Sequence, residues 1–351
     1  MKPIHPLLPA LLFCGCSLLS DVNDLSFGDG ADGDTDGDTD GDTDGDTDTD
    51  SNAIIPDCSE CVGVGNTIEA MLCALDLCDP DTVISQNYSS PTASDLDGSC
   101  AAVAHYGDPS NDLAPLLNGS YAMMATGLAE GTNKNTDMGG YPIMDIHSNN
   151  ESIHDVYQWR LRLKAPPEAS GFQVNYVFLS VEYDEFVSSQ YSDKFYILLE
   201  AESTNGGQQT VINHADCRDQ AVYYDFSGSG CNTQSGYCCY IGVNSALSEC
   251  CWYPHGSAHA PNSQSPSCPG GTWATDIAGT GFSCASGVGE DNQLHGSSTG
   301  WLKTEWPIDP GEEFTLIFQI HDTFDSLFDS QVLLDRFLFL KEAGQGTGKA
   351  G

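Results

Sequence analysis

Apolar residues return at every second position in several separate stretches of this chain, a period that builds strands and not helices. Trp159, Leu161 and Leu163 alternate with Arg160, Arg162 and Lys164. Phe172, Val174, Tyr176 and Phe178 follow the same rule, and Val177, Leu179 and Val181 make the opposite face apolar as well. A strand apolar on both faces belongs in the middle of a sheet, covered from both sides. Phe195, Ile197 and Leu199 repeat the spacing. Phe314, Leu316, Phe318 and Ile320 repeat it again, interleaved with Thr315, Gln319 and His321 and preceded by the turn Asp309-Pro310-Gly311. A last strand is predicted from Gln331 to Leu340. Loops of Gly, Asn, Asp and Ser separate these runs, with little helix between them. The pattern therefore predicts a mainly β fold, an antiparallel β-sandwich of jelly-roll type over residues 100–343.

Two elements decorate that sandwich. Residues 58–99 read as a small cysteine-rich segment with a short disulfide-tied helix: Asn66 and Glu69 form a capping box, and Ile68, Met71, Leu72 and Leu75 share one face. Cys78-Asp79-Pro80-Asp81 stops the helix. Residues 201–300 are rich in loops and cysteines and read as a stapled insertion over one end of the sandwich. The three cations on one strand, Arg160, Arg162 and Lys164, read as a solvated outer face in preference to an anion site.

The first 57 residues stand apart from any core. Met1 to Cys16 carries one cation, Lys2, then the apolar run Leu7–Phe13, and ends in Gly15-Cys16, the form of a secretory signal with a lipobox that would lipidate Cys16. The apolar run is too short to cross a bilayer. Residues 17–57 follow, with Gly-Asp-Thr-Asp four times from Gly33 to Asp48 and Asp at every even position from 32 to 50. Such a tract repels itself and has nothing to bury, so it predicts a solvated tether. Asp-x-Asp-Gly echoes an EF-hand loop, but the closing Glu is missing, so a linker is the better reading. The C-terminal 344–351 reads as a flexible tail.

Charge and cysteine usage narrow the setting. The chain has 51 acids against 11 Lys and Arg, a formal net charge of −40. This argues against nucleic acid and anionic lipid headgroups as partners. Beyond Cys14 and Cys16, thirteen cysteines remain: Cys58, Cys61, Cys73, Cys78 and Cys100 early, and Cys217, Cys231, Cys238, Cys239, Cys250, Cys251, Cys268 and Cys284 later. That density fits an exported protein with disulfides. Zinc at Cys58, Cys61, Cys73 and Cys78 is the weaker alternative. The connectivity stays open, and thirteen is odd.

Two acidic blocks sit where patterned strands end. They run from Ser180-Val181-Glu182-Tyr183-Asp184-Glu185-Phe186 on to Asp193, and from His321-Asp322-Thr323-Phe324-Asp325 on to Asp329-Ser330. Carboxylates far apart in sequence could meet there at one rim of a sheet. Calcium takes six to eight oxygens, mostly from loop carboxylates and carbonyls. Glu182, Glu185, Asp193, Asp325 and Asp329 are the expected ligands of a structural Ca2+, with Asp322 and Asp335 next. The plainer alternative is that Glu182 and Asp193 cap turns and bond backbone N–H groups, while Asp335 pairs with Arg336 or a strand neighbour. Glu182, Glu185 and Asp325 could also serve a glycosidase, but nothing fixes the separation of such a pair. There is no His-Glu-x-x-His, no Gly-x-Ser-x-Gly and no phosphate-binding glycine loop. His255 and His259 fall among prolines and glycines and read as loop residues. Trp252, Tyr253 and Trp273 could stack on sugars, whereas Trp301 and Trp306 read as core.

These blocks carry a family resemblance. Tyr176 to Val187, with Tyr191-Ser192-Asp193 and Phe195, resembles the hallmark segment of choice-of-anchor L domains. Gly300-Trp301-Leu302, Pro310-Gly311-Glu312, Ile320 to Ser330 and Val332 to Asp335 extend the likeness over roughly residues 100–342. The chain departs from the pattern in its cysteine-rich insertion and at Phe324, where glycine is usual and the turn would want a positive φ. The resemblance implies an exported surface module with no reaction attached. The expectation is thus a lipid-anchored outer-membrane or cell-surface protein, non-enzymatic, binding a glycan or a surface protein. A secreted glycan hydrolase and a purely structural surface protein are the alternatives.

Overall fold

A computed structural model of the chain describes residues 52–58, 68–92, 100–104, 113–131, 133–148, 150–182, 190–216, 238–243, 280–282 and 296–350. In chain order the first elements are β1 (Ala53–Ile54), α1 (Ile68–Ala74), β2 (Val83–Ser89), β3 (Ala101–Ala104), β4 (Tyr121–Ala125) and β5 (Ile143–Met144). The long strands β6 (Ser152–Lys164), β7 (Gly171–Ser180) and β8 (Lys194–Glu200) follow. Next come α2 (Glu202–Asn205) and the short strands β9 (Thr210–Val211), β10 (Ala215–Asp216), β11 (Cys238–Cys239), β12 (Ile241–Gly242) and β13 (Ser297–Ser298). The chain closes with β14 (Leu302–Pro307), β15 (Glu313–Thr323), β16 (Ser330–Leu340) and β17 (Gly346–Lys349).

Two sheets face each other. One runs β11-β10-β17-β14-β7-β16-β4-β3 and the other β12-β8-β15-β6-β2. All pairs are antiparallel except β10 with β17. Successive long strands switch sheets: β6, β8 and β15 lie in the second, β7, β14 and β16 in the first. That switching is the jelly-roll habit the strand pattern predicts. Trp159, Leu161, Leu163, Phe172, Val174, Tyr176, Phe195, Phe314 and Phe318 form the core between the sheets. On the outer face Arg160 pairs with Glu200 at 3.0 Å and Arg162 with Glu313 at 2.7 Å. Those cations are matched by acids on the same sheet, Glu313 on the adjacent β15 and Glu200 one strand further on β8, as expected of a solvated face.

Two bulges adjust the register. In β16 the pairing slips between Asp335 and Leu338, with Arg336 at φ 50°. Val332 and Leu334 face the core before the slip, Phe337 and Phe339 after it. One extra residue has moved the inward face from even to odd positions. In β6 the slip falls around Asp155, at φ 41°, opposite the span from Ile320 to Asp322.

Several boundaries differ from those the sequence predicts. Ala53 and Ile54 pair with Leu340 and Phe339, so the sheet begins inside the segment read as tether. Residues 58–99 are not a separate piece, because β2 pairs along β6 and Met71, Ala74 and Leu75 join the main core. The predicted tail forms β17, antiparallel to β14, with Thr347 meeting the Thr304 hydroxyl at 2.7 Å. Gly346 and Gly348 suggest flexibility, yet side chains are not needed where backbone pairing on both edges holds a strand. Of the predicted insertion, the described pieces 201–216, 238–243 and 296–300 add strands to both sheets. Cys58 bonds Cys78, which closes the loop that carries α1, and Cys73 is also in a disulfide. Cys100 is buried. Asn66 of the capping box, Cys61, Cys217, Cys231, Cys250, Cys251, Cys268 and Cys284 lie outside the described residues.

Candidate functional site

The inward-facing positions of the central strands do not stay apolar to their ends. In β7 the series Phe172, Val174, Tyr176, Phe178 continues through Ser180 to Glu182. In β15 the series Phe314, Leu316, Phe318, Ile320 continues to Asp322. Reading β8 backwards, Leu199, Ile197 and Phe195 lead to Asp193, and β16 starts its own inward series at Ser330. Beside it, Met124 of β4 is followed two residues on by Thr126. The core therefore ends in a polar layer of three carboxyls and three hydroxyls at one end of the sandwich. All are buried: Glu182 is 1% exposed, and Asp193 and Asp322 are 0%.

The hydrogen bonds in this layer are unevenly shared. Asp193 Oδ2 accepts from the Ser330 hydroxyl at 2.7 Å, and its Oδ1 accepts from the Thr323 backbone N–H at 3.1 Å. Glu182 Oε2 accepts from the Asp193 N–H at 3.4 Å, while Oε1 has no partner. Neither oxygen of Asp322 receives a hydrogen bond. Thr126 and Asp193 lie near enough to act on it electrostatically, but the Thr126 hydroxyl is turned toward the Ser330 carbonyl at 3.5 Å. Ser330 N–H donates back to that hydroxyl at 3.0 Å, and Thr323 Oγ1 donates to the Ser192 carbonyl at 2.8 Å, so the hydroxyls are committed elsewhere.

Electrostatics follows from this enclosure. Burial, then the charge of Asp193, then that of Asp325 push the Glu182 carboxyl well above its ordinary range. Burial and Asp193 do the same for Asp322. Asp193 is pushed up to about 7, chiefly by burial, against the hydrogen bonds from Ser330 and Thr323. A buried carboxylate with an orphaned oxygen is costly, because an unsatisfied charged group loses its hydration without replacement. Protons can relieve that cost at low pH; a cation relieves it at any pH where the acids ionise.

The expected calcium ligands thus divide. Glu182 and Asp193 meet as predicted, and Asp322, ranked behind the others in sequence, joins them. Asp325 sits at the mouth, half-buried, with Oδ1 accepting from the Leu327 N–H at 3.2 Å. Asp329 is drawn away: its oxygens accept from the Thr136 N–H at 3.0 Å and the Thr136 hydroxyl at 2.7 Å. A Cβ at Gly127 would collide with that carboxylate, so glycine makes the close approach possible. Glu185 lies outside the described residues. Among the described residues no group of three His, Cys, Asp or Glu side chains stands ready to hold a metal ion. The orphaned oxygens of Asp322 and Glu182 nevertheless have the chemistry of hard oxygen donors that suits calcium.

Asp335, expected to pair with Arg336 or a strand neighbour, meets Arg336 through the backbone. Its Oδ1 accepts from the Arg336 backbone N–H and its Oδ2 from the Leu116 N–H, both at 2.6 Å. It faces Asp76, whose oxygens accept from Asn118 Nδ2 at 2.5 Å and from Arg336 N–H at 3.0 Å. Burial first, then Asp76, pushes Asp335 up to about 8; burial pushes Asp76 up to about 6. This pair lies at the β16 bulge, next to α1.

A third buried polar group has no counterpart in the sequence reading. The Tyr196 hydroxyl donates to Asp145 at 2.7 Å, His321 stands 3.8 Å from the same carboxylate, and Lys194 pairs with Glu151. His321 and Lys194 hold Asp145 below its usual range despite burial. Alternation places His321 on the face opposite Phe314 to Ile320, and nothing in that pattern announces its burial. Trp301 is buried in a core cluster, and Trp306 packs against the main core with its N–H on Thr204 at 3.1 Å. Trp252, Tyr253, Trp273, His255 and His259 lie outside the described residues.

No protein-family model, curated protein or solved structure matches this chain.

Proposed function

We propose that this chain is an exported surface protein: lipid at Cys16, an acidic tether over the following residues, and a β-sandwich that binds a glycan or a surface protein without catalysis. The sandwich is steadied by calcium in the polar end layer, with Glu182, Asp193 and Asp322 as donors and Asp325 at the mouth. One observation carries the calcium reading. Asp322 is fully buried with two unpartnered oxygens, among further buried acids and with no Lys or Arg hydrogen-bonded to it. The signal-like first 16 residues, the cysteine content and the resemblance to choice-of-anchor L domains support the exported, non-enzymatic part.

The calcium part is tested by titrating chelator-stripped protein with CaCl2 in a calorimeter. Saturable binding with about one ion per chain, lost in Asp322→Asn, is expected; no heat in the wild type overturns it. The binding part is tested with a glycan array beside a polysaccharide hydrolysis assay. Retention without turnover is expected. Turnover abolished by Glu185→Gln would replace binding with hydrolysis.

A further inference from the structure

A cavity of about 420 Å³ opens on the side of the sandwich where β1, α1 and the second half of β16 meet. That volume lies within the range of small-molecule sites. Its floor is aromatic. The β16 bulge turns Phe337 and Phe339 inward, their rings 5.2 Å apart and nearly perpendicular, and Phe337 stacks on Phe172 at 5.4 Å. The floor is therefore fixed by the core behind it. Ile54, Ile55 and Leu77 supply apolar walls, and Ile55 is 51% exposed beside the opening.

The polar part of the lining has one sign. Asp57, Asp76 and Asp79 all border the cavity, and among the described residues no Lys, Arg or His does. Asp79 is fixed by the Asp81 N–H at 2.9 Å and the Thr82 hydroxyl at 3.3 Å, and Asp76 by Asn118 and Arg336 N–H. The Cys58–Cys78 disulfide ties down both chain segments that carry these acids. Fixed carboxylates around an aromatic floor complement a positive charge on an apolar body, the charge through Coulomb attraction and the body through packing against the rings.

We propose that this cavity binds an organic ammonium ion, a primary amine on an aromatic or aliphatic body. The site is separate from the polar end layer, and the inference does not rest on the calcium reading. The probes are 2-phenylethylammonium, its neutral isostere 2-phenylethanol and the anion 3-phenylpropionate. Each is titrated into the full chain, kept in saturating calcium so that the end layer does not compete, and followed by NMR. The expected result is at least tenfold tighter binding of the ammonium than of the alcohol, no binding of the anion, and shifts centred on Leu77, Phe337 and Phe339. Asp57→Asn with Asp79→Asn should weaken the ammonium severalfold and leave the alcohol unchanged. Equal affinity for ammonium and alcohol, shifts centred elsewhere, or no binding at millimolar concentration overturns the proposal. The charge series on the unaltered protein keeps the test valid if the double variant fails to fold.

Discussion

Asp76 and Asp335 are buried acids whose four oxygens all accept hydrogen bonds, three of the four from backbone N–H groups at the β16 bulge or the neighbouring loop. Glu182, Asp193 and Asp322 are buried just as completely, yet three of their six oxygens have no partner. The two regions differ in the backbone beneath the acids. At the bulge the ladder is broken, so amide groups are released and can turn toward a carboxylate. In the end layer the excess residue lies in β6, at Asp155, and not in a strand that carries one of the acids, and the Glu182 N–H is spent on the Ser180 hydroxyl at 3.0 Å. A bulge within the acid-bearing strand thus supplies backbone donors to Asp76 and Asp335, and the end-layer acids are the ones that call for something from outside.

Calcium gives the largest test of that contrast. At a thousandfold excess over its dissociation constant an ion bound only by the folded state adds about 4 kcal/mol. Melting in CaCl2 against chelator should show a rise of several degrees, absent in Asp322→Asn and kept in Asp335→Asn. If Asp335→Asn also loses the rise, the two regions are one site and the contrast fails. Next in size, Cys78→Ser opens the loop carrying α1 and Asp76. Chain entropy for a loop of that length sets the loss at about 3 kcal/mol, read as a lower denaturant midpoint, with calcium affinity unchanged. A change in calcium affinity would mean that the regions are mechanically coupled.

The pH response is smaller and opposite to that of a salt-bridged acid. Asp335 and Asp76 have folded values near 8 and 6, above their unfolded values, so the native state holds more protons through that window. Their contribution is therefore greatest below about pH 4, the ordinary carboxyl range, and is lost as pH rises toward 8. The groups acting on the pair are each other and Arg336, whose charge favours ionisation of Asp76. In saturating calcium, wild-type stability should fall from pH 5 to pH 8 and Asp335→Asn should flatten that fall. An unchanged slope removes the pair as its cause. The smallest effect is at Phe324, which holds φ 71° in the turn after β15. Phe324→Gly should add about 1 kcal/mol in chemical denaturation by relieving that strain, with the Phe324 N–H bond to the Ser152 carbonyl retained.

Much of this architecture is written in the period-two runs. Trp159, Phe172, Phe195 and Phe314 point inward as their alternation predicts, and keeping the parity past the last apolar residue leads to Asp193 and Asp322 after two residues and to Glu182 after four. The sequence reading favoured Asp325 and Asp329 over Asp322 because loop acids are the commoner calcium ligands. Register was the better guide: Asp322 keeps the parity of Ile320, whereas Asp329 is captured by Thr136, a contact across 193 residues that no local pattern announces. The bulges were invisible for the same reason. Arg336 is not a turn-forming residue, Asp155 stands alone inside a strand pattern, and only the pairing partners reveal that one residue is in excess. The Asp76–Asp335 pair likewise depends on a bulge bringing α1 against β16.

Strand β16 is the middle of its sheet, hydrogen-bonded to β7 on one side and to β4 and β1 on the other. It is also among the last segments to be synthesised. Asn52 waits for Glu342, 290 residues away, before its side chain is satisfied. Until Ser330–Leu340 arrives, β4 and β7 face an empty slot, and the aromatic floor made by Phe337 and Phe339 does not exist. Contacts this distant close slowly, and they close together. A nascent chain of this design therefore keeps its first sheet unzipped until β16 has been made, and the strands made earlier wait with their edges bare.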